Sequence, residues 1–539
     1  MQLSSTRWRA SLAGAAGASV ALGVAELFHG LFGSAIPSVI GALGQRVIEL
    51  VPGGLATRAI ETLGKADIPL LVAALVCGSL ASGALLATLS RRRPVAALAG
   101  VGALWLAGTA AALAEPSAAA LPTAAALLVA AACGTWVSGL LLRAGRGEGR
   151  DTGRTMPGVR RREAGSRAPT EVGRRGFVLL AGAAAAAGVA AAGAGRLLSS
   201  REPSREAARP LRLPEDRPAG GGARVHKSLP PPPEAASIEV RGMPPLITPA
   251  EDFYLIDTAL VSPRVDAREW SLKIGGNVEN PLELSYADLL SMPTREADIT
   301  LSCVSNEVGG GLVSNGRWTG VLLSDVLREA GVDPRRITGS SSQIVGRSVD
   351  GWTAGFRTEL AFDGREALVA FGLNGNELPL KHGYPARLVV PGLYGYVSAT
   401  KWLSEIELTG WDFDAYWIQR GWAKEGPVKI QSRIDTVRDG ETLPAGRIPV
   451  GGVAWAPHRG ISRVEVSTDG GRTWNEARLA AQLDPDSWRQ YLYGWDARPG
   501  RYTLQVRATD GEGRTQTARR TPPHPSGATG YHAIRVTVV

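Results

Sequence analysis

One cysteine in the second half of the chain stands where a metal-binding thiol is expected. Cys303 is the only cysteine after residue 133. It follows residues 298–302, whose alternation of polar and apolar side chains is typical of a half-buried strand, and it precedes a loop of three glycines at 309–311. A thiol at the end of a strand, beside a glycine loop, is well placed to bind a soft metal. The alternative is that this free cysteine is simply a small buried apolar side chain.

A second set of residues could hold an anion. His382, Arg387 and Lys401 occur among glycine-containing turns. One histidine and two cations near such turns can clamp an anion through charge-assisted hydrogen bonds. Each residue alone also has a structural interpretation, because Arg387 could be half of a buried ion pair and His382 an ordinary turn residue.

Together these stretches resemble the sulfite-oxidase family of molybdopterin-dependent oxidoreductases. In the first stretch the resemblance is carried by Cys303-x-x-Asn306 and by Asn-Gly-Arg-Trp-Thr-Gly-Val-x-Leu at 315–323. In the second it is carried by residues 374–392 and by Lys-Trp-Leu at 401–403. The resemblance covers residues 237–539, a little over half of the chain.

The resemblance implies a cofactor and a role for each matching residue. Cys303 corresponds to the one protein thiolate on molybdenum, whose other ligands are the two dithiolene sulfurs of the pterin and oxo groups. The metal cycles between two oxidation states while an oxygen atom moves to or from the substrate, and the protein supplies binding, orientation and charge. Cys303 must be a thiolate to ligate, so its replacement by serine is expected to remove most activity. The residues implied to bind the cofactor are Phe253, Tyr254, Cys303, Asn306, His382, Arg387 and Lys401.

The substrate is less well defined, because this chain departs from the family near the cysteine. Glu307 and Val308 stand where the family often has two arginines, and Ile-Asp-Thr at 256–258 stands where it usually has Arg-Asn-His. These replacements weaken the binding of an oxyanion by charge alone. Arg317 remains as a candidate catalytic residue, although it could only brace its loop. Trp352 could face the substrate or belong to the core.

Three functions therefore stay open. The first is two-electron oxygen-atom transfer on a small-molecule substrate, either sulfite or a related small oxyanion. The second is reduction of an S-oxide or N-oxide on the same cofactor. The third is a non-catalytic scaffold or interaction protein that retains the fold.

Charge is distributed unevenly along the 539 residues, which are too many for one domain. Residues 237–539 contain 33 Lys+Arg and 36 Asp+Glu, so the first 236 residues contain the remaining 26 of 59 basic and 14 of 50 acidic residues. The high pI therefore reflects the N-terminal half and is no evidence for nucleic-acid binding. Cys77 and Cys133 lie in apolar runs, so the second half can form no internal disulfide.

The N-terminal half is predicted to be an all-α membrane anchor. Residues 1–198 are expected to contain about five transmembrane helices, with a possible interfacial helix at 34–67. The predicted spans are near 10–33, 68–90, 95–114, 119–142 and 174–195. The last span begins with Arg174-Arg175 and resembles a twin-arginine export signal, although it could be an ordinary anchor flanked by arginine. The distribution of arginine predicts a multi-pass protein of the cell membrane with its catalytic domains outside the cytoplasm.

Three further segments follow. Residues 199–236 are rich in Pro, Gly and Arg and are predicted to be a disordered linker. Residues 237–425 are predicted to form the α+β molybdopterin domain of the sulfite-oxidase fold. Residues 426–539 contain short alternating strands that predict an all-β immunoglobulin-like sandwich. In the family this last domain commonly makes a homodimer contact.

The electron partner must be a separate molecule. The chain contains no Cys-x-x-Cys-His motif for attaching haem. His29 is the only histidine in a predicted span, so a membrane haem held by two histidines is not expected. A cytochrome or a quinone remains as the candidate partner.

Overall fold

The computed structural model describes residues 2–51, 66–115, 118–144, 173–201, 210–212, 227–259 and 262–539. The chain divides into two compact units. Unit 1 comprises residues 1–204 with 259–264, and unit 2 comprises residues 205–258 with 265–539.

Unit 1 is helical. Five of its described helices are long and apolar enough to cross a bilayer, judged by length and composition. α1 packs along α3, α5 and α6, and close approach depends on glycines, since a Cβ at Gly23 would clash with the backbone of Gly188. Of the predicted interfacial segment, residues 39–50 form a helix, and residues 52–65 lie outside the described part. The helices are α1 (Gln2–Phe32), α2 (Val39–Leu50), α3 (Asp67–Leu89), α4 (Pro94–Leu113), α5 (Ala120–Ala144) and α6 (Arg174–Arg201).

The first part of unit 2 is an α+β domain built on two sheets. One sheet has the strand order β2-β1-β10-β5-β6, and the other has the order β3-β4-β7-β8, with β9 paired to β7. The strands are β1 (Ser271–Gly276), β2 (Leu282–Ser285), β3 (Thr294–Ser302), β4 (Val313–Leu322), β5 (Gln343–Ser348), β6 (Thr353–Arg357), β7 (Leu368–Leu373), β8 (Asn376–Glu377), β9 (Arg387–Val389) and β10 (Leu403–Thr409). The helices are α7 (Tyr286–Ser291), α8 (Leu323–Glu329) and α9 (Gly395–Ser398).

Local sequence signals account for several of these elements. Ser285 caps α7 in a reciprocal capping box with Asp288, as its position before an apolar helical run predicts. β3 runs antiparallel to β4, with Ser302 opposite Val313 and Asp298 opposite Arg317. This register places Cys303 directly beyond the end of the sheet, at the start of the loop that leads into β4.

The second part of unit 2 is all-β. The sheets have the orders β11-β13-β17-β16 and β12-β19-β18-β14-β15. Apolar residues of both sheets, including Val450 and Tyr491 from one and Val464 and Val506 from the other, form a single core. The predicted hairpin turn at 469–471 joins β14 to β15. The strands are β11 (Gln431–Ile434), β12 (Thr442–Leu443), β13 (Gly446–Trp455), β14 (Ile461–Ser467), β15 (Asn475–Glu476), β16 (Arg478–Leu479), β17 (Arg489–Ala497), β18 (Gly500–Asp510) and β19 (His532–Val538).

Two described stretches of the predicted linker are held by hydrogen bonds. Leu211 donates its backbone N–H to the carbonyl of Gly375. Lys227 bonds through its backbone to residues 294 and 296 of β3, which is the edge strand of its sheet. These stretches therefore lie against the α+β domain, and residues 202–209 and 213–226 lie outside the described part.

Candidate active site

Cys303 begins a closed loop. Its N–H donates to the carbonyl of Leu312 at 2.9 Å, and its carbonyl accepts from the N–H of Asn306 at 3.1 Å. The side chain is partly exposed. Burial raises the pKa of the thiol, against hydrogen bonds from Ser305 and Val304 that lower it. A bound metal cation reverses this effect of burial, because coordination favours the thiolate.

Asn306 holds the loop together from inside. Its Oδ1 accepts from the N–H of Leu312 at 2.8 Å, and a Cβ at Gly310 would lie 2.6 Å from the same oxygen. The side chain is buried, and its Nδ2 has no hydrogen-bond partner among the described residues. Asn306 thus shapes the loop and keeps one buried donor for a bound group.

His382 is a neutral imidazole that contacts Phe253. Its ring packs edge-on against Phe253 with centroids 5.7 Å apart, and Nε2 lies 3.1 Å from the carbonyl oxygen of Ala250. Burial, followed by the charges of Arg387 and Lys401, lowers the pKa of His382 to about 4. At neutral pH this residue therefore contributes a hydrogen-bonding group and no charge.

Arg387 brings a buried positive charge into the same region. It is 5% exposed, packs against the Trp318 ring at 5.1 Å and donates from Nη1 to the carbonyl of His382 at 3.1 Å. Burial lowers its pKa to about 10, so it stays charged at neutral pH. No ion pair found among the described residues includes it. A buried guanidinium without a paired carboxylate fits an anionic ligand.

Lys401 completes the cationic part of the site and is paired with Asp257. The two side chains are 12% and 14% exposed and form an ion pair, and Nζ also donates to the carbonyl of Lys381 at 3.0 Å. Burial lowers the pKa of Lys401 to about 8, although Asp257 opposes this shift. The pKa of Asp257 is raised by burial, against the effect of Lys401.

Tyr254 connects the cysteine to the cationic residues. Its N–H donates to Ser314 Oγ at 3.0 Å, and its ring stacks on Phe253 at 5.7 Å. Burial raises the pKa of its phenol; nearby Cys303 raises it further and Arg387 lowers it. The structure therefore brings the predicted residues Phe253, Tyr254, Cys303, His382, Arg387 and Lys401 into one region.

Arg317 is placed elsewhere. Its Nε and Nη2 donate to both carboxylate oxygens of Asp298 at 2.9 and 2.8 Å, and Nη1 donates to the carbonyls of Leu229 and Pro230. Alternate residues of a strand face opposite sides, so Arg317 points away from the face on which Trp318 meets Arg387. These described contacts of Arg317 brace β3 and the linker, and a catalytic role for Arg317 stays a prediction.

Two residues of this region were not predicted from the sequence: Tyr394, close to the cysteine, and Arg459, close to Tyr394. Tyr394 is buried, and its pKa is raised to about 12 by burial and by Cys303, while a hydrogen bond from Lys429 and the charge of Arg459 lower it. Arg459 comes from the all-β domain and is bonded to Asp510 at 3.0 Å. Tyr394 lies within the recognised 374–403 region. No local sequence pattern marks Arg459 as a site residue, because only the tertiary fold brings it close to Tyr394.

The residues around the cysteine fit a molybdopterin cofactor. Among the described residues no group of three or more His, Cys, Asp or Glu side chains could hold a metal ion, so a metal on Cys303 needs further ligands from a cofactor. Arg387, Lys401 and His382 form a cradle suited to a phosphate. When bound, the cofactor supplies the two-electron redox chemistry. The chain's own residues would position the cofactor, and Cys303 would supply the thiolate.

Comparison with known proteins agrees with this fit. Residues 259–417 match the family described as oxidoreductase molybdopterin binding domain, and residues 425–520 match the Mo-co oxidoreductase dimerisation domain. These matches identify the cofactor as molybdenum bound by molybdopterin.

Individual relatives cover the same part of the chain. Mitochondrial sulfite oxidase of Mus musculus is 31% identical over 276 residues, which are 44% of this chain and 50% of that protein. Nitrate reductase [NADH] 1 of Arabidopsis thaliana is 27% identical over 296 residues, 46% of this chain and 32% of that protein. The chain thus spans about half, or less, of the length of these curated relatives.

A solved structure also aligns with the chain. The sulfane dehydrogenase SoxCD from Paracoccus pantotrophus has a TM-score of 0.46 and 25% identity, covering 56% of this chain and 82% of that one. On the domain matches and the sulfite oxidase relatives, the second half of this chain belongs to the sulfite-oxidase family of molybdopterin-dependent oxidoreductases.

Proposed function

We propose that this chain is a membrane-anchored molybdopterin enzyme that transfers an oxygen atom, with two electrons, to or from a small substrate. Sulfite or a related small oxyanion is the first candidate. The convergence of the Cys303 thiol with Tyr254, His382, Arg387 and Lys401 is the observation that carries the proposal. In the oxidative direction sulfite and water give sulfate, two protons and two electrons.

The proposed location is the cell membrane, with unit 2 on the extracytoplasmic side. Five described helices have the length and composition of membrane spans. The arginines at residues 7 and 9, at 91–93 and within 143–175 support a cytoplasmic position for these segments. The chain carries no haem motif, so a separate cytochrome or a quinone accepts the electrons. The match to a dimerisation domain supports a homodimer.

A second candidate, reduction of a neutral S-oxide or N-oxide, is favoured by the residues that replace arginines. Ile256 is 49% exposed, and Glu307 is also exposed. An acid and apolar side chains at these positions attract an oxyanion less than arginines do. In this direction the S-oxide takes up two electrons and two protons and gives a thioether and water.

A substrate screen on the full chain separates these candidates. Protein from cofactor-replete cells is assayed for sulfite oxidation with an electron-accepting dye and for S-oxide and N-oxide reduction with a reduced dye. Turnover of sulfite supports the first candidate, and turnover of the oxides alone supports the second. Molybdenum far below one per chain, with no turnover of either class, would contradict the proposal.

A further inference from the structure

The loop that follows Cys303 is held in place by the all-β domain. Arg433 of β11 donates from Nη1 to the carbonyl of Gly310 at 2.8 Å. Gly309 has a φ of +80° and lies against the ring of His532, at the start of β19, so closely that a Cβ there would clash with the ring. Two glycines of the loop thus meet two side chains of the other domain.

Both of these side chains are themselves fixed. Arg433 Nε is bonded to Asp435 Oδ1 at 2.6 Å, and the Arg433 carbonyl accepts from the hydroxyl of Tyr491 at 2.9 Å. His532 accepts at Nδ1 from the N–H of Ile434 at 3.0 Å. Burial and the charge of Arg433 lower the pKa of His532 to about 4. At neutral pH the ring is therefore uncharged, and it packs against Gly309.

The contacts continue from the glycines to the thiol. Gly310 packs on Asn306, which bonds the N–H of Leu312 at 2.8 Å. Leu312 in turn accepts from the N–H of Cys303 at 2.9 Å. The loop is therefore closed at its base by its own hydrogen bonds and fixed at its tip by the all-β domain. The direction of the Cys303 side chain depends on both.

We infer that Arg433 and His532 are positioning residues for the cysteine, so that the all-β domain helps to set the geometry of the metal centre as well as any subunit contact. This inference rests on the proposed function. A small displacement of a reacting centre is costly, since a misplacement of about 1 Å can reduce a rate by about a hundredfold. Outer contacts that orient a ligand have a comparable influence on a metal site.

The test compares full-length holoproteins. Arg433→Gln removes the bond to Gly310, Arg433→Lys keeps the charge, and Gly309→Ala disturbs the loop tip without replacing any residue of the all-β domain. Arg507→Gln is the matched control, because it also removes an arginine of the all-β domain, one paired with Glu465 at 2.9 Å. The measurements are molybdenum content, the electron paramagnetic resonance spectrum of the metal, kcat and KM.

We expect Arg433→Gln and Gly309→Ala to shift the spectrum and to lower kcat by about tenfold or more, with KM changed much less. Arg433→Lys should recover part of kcat, and Arg507→Gln should match wild type. If Arg433→Gln does not fold, the comparison of Gly309→Ala with wild type still tests the inference. Wild-type spectra and kcat in loaded Arg433→Gln and Gly309→Ala would overturn the inference while leaving the proposed function intact. A wild-type protein without molybdenum would overturn the proposed function itself.

Discussion

Lys401 is paired with the carboxylate of Asp257, and the two side chains are only 12% and 14% exposed. Asp257 stands where the family usually has asparagine, so this chain adds a negative charge beside the cations proposed to hold the cofactor phosphate. The pair therefore moderates the positive charge supplied by Lys401 and Arg387.

Replacement of Asp257 should strengthen retention of the cofactor. Asp257→Asn removes one negative charge from a poorly solvated region, so we expect the cofactor phosphate to be held about tenfold more tightly. The measurement is the rate at which molybdenum and pterin are lost during dialysis. Asp363→Asn, which removes an acid paired with Arg365, is the control. Faster loss from Asp257→Asn would contradict this prediction and show that Asp257 mainly holds Lys401 in position.

Acid should destabilise the protein through His382. The pKa of His382 is about 4 in the folded protein, compared with 6.5 for an unperturbed histidine. Between pH 6.5 and pH 4 the unfolded chain therefore binds a proton at this residue that the folded chain does not bind. The free energy of unfolding then falls as pH drops from 6.5 towards 4, by about 3 kcal/mol for this residue.

This effect can be measured against His382→Gln, which does not titrate. The stability of wild type relative to this variant, followed by thermal unfolding of the full chain, should decrease over that pH range. A difference in Tm that stays constant between pH 7 and pH 4 would count against a buried neutral imidazole.

Arg317→Gln should affect stability more than catalysis. Arg317 is the bidentate partner of Asp298, whose side chain is 3% exposed, and removing one member of such a pair leaves a buried charge, at a cost of about 3–5 kcal/mol. We expect a lower Tm, partly restored in Arg317→Gln/Asp298→Asn, and a kcat close to wild type in the folded protein. Arg335→Gln, in an exposed pair with Asp333, should change neither. A large loss of kcat without loss of Tm would instead favour the catalytic role considered from the sequence.

A positive charge near the cysteine should favour oxyanions. Val308 stands where the family often has arginine, and Val308→Arg adds a charge that attracts sulfite. We expect kcat/KM for sulfite to rise by about tenfold, since about 1.4 kcal/mol corresponds to that factor. Val308→Met, which is large but neutral, controls for size. An equal rise for sulfite and a neutral S-oxide would show that charge is not the cause.

Prediction from the sequence worked best where the chemically active residues lie within a recognisable local pattern of the chain. The strand before Cys303 appears as β3, and the spaced residues His382, Arg387 and Lys401 lie close enough to one another to interact electrostatically. Their role in binding the cofactor stays a prediction. The two-sheet all-β domain also follows from its alternating strands. These features depend on local patterns, such as alternation of polar and apolar residues and the spacing of motif residues, which can be read from a single sequence.

The remaining features depend on tertiary contacts. The strand register pairs Arg317 with Asp298, and this pairing could not be read from its motif. Arg433 and Arg459 approach the site from another domain, far away in the sequence. Two described stretches of the linker bond to β3 and next to β8 although their composition is typical of disorder, because unpaired backbone groups at a sheet edge can pair with almost any sequence.

X-ray absorption at the molybdenum edge shows whether Cys303 is a ligand of the metal, since it counts the sulfur atoms bound to molybdenum. We expect the molybdenum of cofactor-loaded Cys303→Ser to have one sulfur neighbour fewer than that of wild type, and the variant to have lost most of its activity. An unchanged sulfur shell in the loaded variant would contradict it, because Cys303 would then not be the protein ligand of the metal.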